Sequence, residues 1–194
     1  AQTEDFHYTR LMIDFYKSVR VNGGSLDIVG KKADFAGYKL IIVPSFVHLE
    51  TDTFKKMVSS GARILAGPRT GIKNRNFQIP QNLSLEGLGY KVTRVDALPY
   101  ELPVEVEWKG QKGKLHVWRE QGESSGVSEG KSEDGFPVIT SGNQGSYLCG
   151  WPDEALLISI MKEQMTMAGL KPITLPEYLR AVSYTHLTLP TNGT

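Results

Sequence analysis

Tyr38 to Lys73, YKLIIVPSFVHLETDTFKKMVSSGARILAGPRTGIK, is the stretch that decides the fold. Lys39 to Val43 holds a continuous apolar run closed by Pro44, the pattern of a strand buried on both faces. Thr51 or Asp52 caps a helix in which Phe54, Met57 and Val58 share one face. Gly61 stands where helices end in the left-handed conformation. Arg63 to Ala66 is the next short strand, and Gly67-Pro68 breaks it. Strand, helix and strand form a βαβ unit, which requires parallel strands and a right-handed crossover.

Before this unit, Thr3 to Arg20 reads as an amphipathic helix. Tyr8, Met12, Phe15 and Val19 recur on one face, and Asn22-Gly23-Gly24 ends it. Leu26 to Val29 is a short strand. After the unit, Ile72 to Gly89 is polar and irregular, with a helical turn near Leu83 to Leu88. A loop of that length in a compact domain points to an interface or a functional role. Tyr90 to Val95 is a strand. Val104 to Trp108 alternates strictly, and with a turn over Lys109 to Gly113 and a run over Leu115 to Arg119 it makes a hairpin. Gln121 to Gly135, rich in Gly, Ser and Glu, reads as a flexible surface loop. Phe136 to Thr140 and Ser146 to Cys149 are strands. Asp153 caps a last helix faced with Leu156, Leu157, Ile160 and Met161, ended by Gly169 and Pro172. The order predicts an α/β protein: a three-layer α/β/α sandwich with a mixed edge and a β-hairpin insert.

The 194 residues are enough for one domain with a substantial core. A net charge of +1 gives no field for nucleic acid or an anionic membrane. No apolar run approaches the ~20 residues of a membrane span. The single cysteine excludes an internal disulfide and fits a reducing, cytoplasmic setting. The chain opens Ala1-Gln2-Thr3, without Met or a signal-peptide pattern, which reads as a fragment or a processed product.

Four features carry candidate chemistry. Glu105 and Glu107 lie on one face of a strand, roughly 7 Å apart, a spacing open to an inverting glycosidase pair. A solvated strand face is the simpler reading. Gly67-Pro-Arg-Thr-Gly71-Ile-Lys73 follows a strand as a phosphate loop would, but departs from the Walker spacing, and Pro68 removes a backbone donor. Cys149 is either a nucleophile or a buried structural thiol. Trp108, Trp118 and Trp151 either stack on sugar rings or pack internally. His7, His48, His116 and His186 have no metal-ligand spacing, so neither metal nor cofactor is expected. His48 is read as an ordinary loop histidine at a strand's C-terminal edge.

Gly37-Tyr-Lys-Leu-Ile-Ile-Val-Pro44 and Gly61-Ala-Arg-Ile-Leu-Ala-Gly-Pro-Arg-Thr-Gly71 resemble the middle, trimerisation domain of glycoside hydrolase family 42 β-galactosidases. Val117 to Glu120, Gly135 to Thr140, Gly145 to Leu148 and Trp151 to Leu156 match as well. GPRTGIKNRNFQIP, Gly67 to Pro80, is the most specific part. The resemblance implies a flavodoxin-like sandwich, similar to class I glutamine amidotransferases but without their nucleophile. It implies a non-catalytic domain, 1–181, partnered by its own catalytic barrel and by two further subunits of a homotrimer. The parent would meet a terminal β-galactoside with two barrel glutamates that this chain lacks. Arg69, Lys73, Arg75 and Phe77 are the expected interface residues. A family strand preceding the first helix is not in the sequence; it would lie between 26–29 and 39–43, leaving the fragment poorly stable. The tail from Val182, with His186, resembles a translated sequencing adapter, so 182–194 is set apart as non-native. Two other readings remain: a free-standing amidotransferase-like enzyme using Cys149, and a carbohydrate-binding module using the tryptophans.

Overall fold

The computed structural model of the chain describes residues 6–74, 76, 78–79, 83–84, 87–99 and 101–173. Residues 182–194, with His186, lie outside the described residues, as do Arg75 and Phe77. The order is α1 (Tyr8–Val21), β1 (Leu40–Val43), α2 (Thr51–Ser59), β2 (Arg63–Ala66), β3 (Leu83–Ser84), β4 (Tyr90–Ala97), β5 (Val104–Trp108), β6 (Gln111–Ser124), β7 (Val127–Ser132), β8 (Pro137–Ser141), β9 (Gly145–Leu148), β10 (Gly150–Pro152) and α3 (Glu154–Met167).

The central βαβ unit forms as the sequence requires. β1 pairs parallel with β2, Leu40 to Val43 against Arg63 to Ala66, and β2 pairs parallel with β9. Alternation divides the core. Leu40, Ile42, Leu65 and Leu148 face α1 and α3, which pack together. Ile41, Val43, Ile64, Ala66 and Tyr147 face Phe54 and Met57 of α2. Here the protein is three layers thick, with the strands covered on both faces.

Beyond β9 the sheet is antiparallel and curls. β8 pairs with β9 and β7, β7 with β5, and β5 with β6. The chain leaving β9 continues as β10 and pairs back onto β6. The ladder β6–β5–β7–β8–β9/β10 therefore returns to its starting strand. The insert is more than a hairpin: it is a closed circuit of hydrogen-bonded strands, and closure removes edges. Lys109 and Gly110, at φ 50° and 81°, make the two-residue turn that starts it, shorter than the turn expected over 109–113.

Three local expectations fail. Residues 121–135 are not a loop; they finish β6 and form β7. Their polar composition hid a ladder built from backbone: Tyr90 to Val92 pair with Gly122 to Ser124, and Val127 to Glu129 pair with Ile139 to Ser141. Leu83 and Ser84 pair with β4 and are not a helical turn. Residues 26–29 form no strand. A strand exists only by pairing, and among the described residues no neighbour pairs with them.

In α1 the buried face is Leu11, Phe15, Ser18 and Val19, one step round from the expected stripe, and Tyr8 is 52 % exposed. α3 starts as expected. Asp153 accepts from Leu156 N at 2.9 Å, and its other oxygen accepts from Lys114 N of β6 at 2.6 Å. One carboxylate thus caps a helix and anchors it to the β-circuit. Asp153→Ala is expected to lower unfolding free energy by about 1–2 kcal/mol in chemical denaturation, the usual cost of losing such a cap.

Candidate functional site

The loops at the C-terminal ends of β1 and β2 are laced together. Gly67 N donates to Val43 O at 2.8 Å, and a Cβ there would meet Pro44 O at 2.2 Å, so only glycine fits. Thr70 Oγ1 donates to Val43 O, and Phe46 N donates to Thr70 Oγ1. Gly71 N and Lys73 N donate to Phe46 O and Val47 O. Asn74 Oδ1 accepts from the backbones of Asn76 and Gln78. The segment read as irregular is a bonded structure pinned to the loop after β1. It is not a phosphate nest, because the N–H groups of Gly67, Arg69, Gly71 and Lys73 are used internally. His48 Nδ1 lies 3.2 Å from Asn74 O in the same lacing.

At its root lies Glu120 of β6, 0 % exposed. Oε1 accepts from Arg69 N at 2.9 Å and from Trp118 Nε1 at 3.0 Å. Oε2 accepts from the Tyr147 hydroxyl at 2.6 Å. The Tyr90 hydroxyl donates to the Glu120 carbonyl at 3.2 Å. Burial raises the Glu120 pKa from its ordinary value, and the Tyr147, Trp118 and Arg69 donors and the Arg69 charge offset it only in part. Arg69 sits at φ 65°, a left-handed conformation unusual for a side-chain residue, held by that backbone bond. Arg69 is 8 % exposed, and its guanidinium lies over the rings of Phe6 and Trp118, 4.3 and 5.0 Å from their centroids. Phe6 meets Trp118 and Trp151 edge-on. Arg69, expected at a subunit contact, is turned into its own chain by Glu120 and these rings. Lys73 is half-buried on the same loop.

The other candidates fall into place by burial. Cys149 is 0 % exposed, and its thiol points to Tyr147 O. Burial pushes the thiol pKa well up, and the nearby Glu120 charge adds to this, the opposite of what a nucleophile needs. Trp108, Trp118 and Trp151 are all buried, so none offers a face to a sugar. Trp151 Nε1 donates to Asp14 and Trp118 Nε1 to Glu120. Glu105 and Glu107 are both exposed on the outer face of β5, and Glu105 pairs with Lys114 at 3.0 Å. They line no cleft. Among the described residues no group of three His, Cys, Asp or Glu is placed to hold a metal ion.

Sequence reading missed Glu120 and the cluster around Arg119. Burial opposes ionisation of Asp134, but the Ser132 hydroxyl and Arg119 outweigh it and hold its pKa low. Arg119 also binds Asp96 at 2.7 Å, and Gln121 donates to the same carboxylate at 2.8 Å. The run Trp118-Arg-Glu-Gln121 was the available signal: adjacent charged residues in a stretch buried on both faces must be paired.

The fold and this site together define a mixed-sheet α/β domain whose ionisable and aromatic groups are used largely in its own packing. The family model for the beta-galactosidase trimerisation domain matches residues 1–171, and the chain belongs to that family. It is 33 % identical over 183 residues to beta-galactosidase BgaA of a Thermus species, covering 92 % of this chain and 28 % of that protein. It is 26 % identical over 198 residues to beta-galactosidase Bga of Halorubrum lacusprofundi, at 86 % and 28 %. The solved beta-galactosidase of the psychrophilic Marinomonas ef1 superposes with TM-score 0.85 at 31 % identity, covering 92 % of this chain and 28 % of that one. The Halorubrum lacusprofundi structure gives 0.82 at 24 % identity, over 92 % and 29 %. The chain thus spans under a third of the length of these relatives. Among the described residues no helix is long and apolar enough to cross a membrane.

Two outcomes follow from the buried groups. Because Glu120 has a raised pKa in the fold, the folded state holds more protons than the unfolded state above about pH 4.3. Stability should therefore fall as pH rises from there through the raised value. Glu120→Gln should flatten that slope in denaturant titrations across pH. Cys149 should resist Ellman's reagent at neutral pH in the folded chain and react fully once the chain is unfolded.

Proposed function

We propose that this chain is the subunit-association domain of a β-galactosidase that hydrolyses terminal β-galactosides with retention. The observation that carries the reading is the family match over residues 1–171, on a chain covering 28 % of its curated relatives. The acid/base and nucleophile glutamates of such a retaining enzyme belong to a catalytic barrel outside these residues. The role of this domain is to hold subunits in a homotrimer and to wall the active-site funnel, in a cytoplasmic enzyme. It needs no cofactor of its own.

The three-layer portion around β1, β2 and β9 supports a finer reading, a relation to the amidotransferase-like sandwich with its nucleophile lost. The turn after β2 carries Pro68, Arg69 and Thr70 and no cysteine. Within the association role, Lys73, Arg75 and Phe77 are the contact residues. Arg69, fixed by Glu120, sets the turn that carries them.

In the parent enzyme, Lys73→Glu should move the sedimentation profile from trimer towards smaller species. The thermal midpoint of the separated subunit should stay within a few degrees, because a partly exposed loop charge contributes little to the core. A trimer that persists unchanged for Lys73→Glu combined with Phe77→Ala would remove the loop from the interface.

A further inference from the structure

At the other end of β2 from the 67–79 loop, a groove of about 790 Å³ lies beside α3 and the turns joining β6 to β7 and β8 to β9. One wall is bonded backbone. Gly89 O accepts from Ser125 N and Gly126 N at 3.0 and 3.2 Å, and Gly87 O accepts from Gln144 N at 3.0 Å. Arg63, the first residue of β2, also lines the groove. Its Nε donates to Gln164 Oε1 at 3.2 Å and its Nη2 to Ser146 Oγ at 2.8 Å. The Ser146 hydroxyl donates to the same Gln164 oxygen at 2.8 Å, and both residues are buried. A tether between β2 and α3 needs only these bonds, and it leaves Nη1 unspent. Among the described residues no acceptor meets that nitrogen, and it is not sealed from solvent.

We propose that this groove binds an uncharged saccharide, a disaccharide in size. Charge balance excludes an anion as the occupant. Burial lowers the Arg63 pKa, and the charges of Glu129 and Glu163 oppose it. Lys109 bridges the same two carboxylates. Two cations thus face two carboxylates, with no surplus charge to draw an ion. Hydroxyl groups fit what is left over, because each donates and accepts. Arg63 Nη1 offers donors in a fixed fork. Glu129 lines the groove, gives one oxygen to Lys109 at 3.1 Å and keeps the other as an acceptor. Asn143 and Ser125 line it with exposed side chains that bond to nothing among the described residues. Val127 and Met167, 64 % and 47 % exposed, supply an apolar surface for the C–H face of a sugar ring. A few fixed polar groups beside apolar ones, in a space of this volume, is the make-up of a small-molecule site. Among the described residues Glu129 is the only carboxylate lining the groove, whereas glycoside hydrolysis takes a pair, so the site holds a sugar without cleaving it. The groove shares no residue with the 67–79 loop, so the inference stands apart from the association reading.

Residue-resolved NMR of chain 1–194, titrated with lactose, cellobiose and maltose in turn, tests this. At least one sugar should shift the amides of Gly89, Gly126, Asn143 and Met167 in a saturable way and leave Asp52, on α2, unmoved. Asn143→Ala should weaken binding several-fold without changing the thermal midpoint, because its side chain is exposed and unbonded. Arg63→Lys, which keeps the charge and loses the fork, should weaken binding roughly ten-fold. No saturable shift with any of the three sugars overturns the proposal. So do equal shifts from sodium acetate at the same concentration, which would make the groove an anion site. Unchanged affinity in both variants overturns it as well. If chain 1–194 does not hold its fold alone, crystals of the parent enzyme soaked in the same sugars should show a sugar between Arg63 and Asn143. An empty groove there overturns the proposal equally.

Discussion

A carboxylate taken wholly out of water is costly, and Glu120 is such a group at the point where the parts of this domain meet. Its partners come from separate places in the chain: the turn after β2, β6 itself and β9. No one of these elements can shift without leaving an acceptor or donor unpaired in the core, at about 1–3 kcal/mol for each group. The carboxylate therefore acts less as a source of net stability than as a specification of arrangement. It fixes how the parallel layers sit against the β-circuit, and it holds Arg69 in a backbone conformation that a side-chain residue adopts at a cost.

From that root the loop after β2 acquires its shape. With Arg69 anchored and its guanidinium laid over Phe6 and Trp118, the loop cannot collapse, and its next residues lace to the loop after β1. The aromatic cluster explains why Trp118 and Trp151 are buried: with Phe6 they pack beneath the charged turn instead of offering their faces outward.

Much of the fold was legible from residues alone. The βαβ unit, the hairpin after Val104 to Trp108, though not its exact turn, the last helix with its Asp153 cap and the strands around 137–148 follow from local pattern and turn chemistry. What was hidden shares a cause: it depends on partners distant in sequence. Residues 121–135 carry the composition of a loop, yet they pair through backbone, which composition does not report. Residues 26–29 carry the composition of a strand, and among the described residues no strand pairs with them. Nothing local to Arg69 reports its backbone bond to Glu120, because that acceptor lies fifty-one positions away. The thiol and sugar-stacking readings were decided by burial, and the phosphate reading by where the loop's N–H groups are used, both properties of the assembled core.

The edges of the sheet show the same logic. Closing β6 through β10 leaves two outer strands, β4 with its short partner β3 at one end and β1 at the other. β4 carries Lys91, Arg94 and Asp96, charges of the kind that keep an edge from pairing with another chain. β1 is Leu-Ile-Ile-Val, with no charge at all. An uncharged edge left to solvent is an aggregation template, and the α1 face beside it adds Ile13 and Tyr16, themselves nearly half exposed. The two ends differ because they solve different problems. The β4 end is protected as a true edge, whereas the β1 end has the composition of an interior strand.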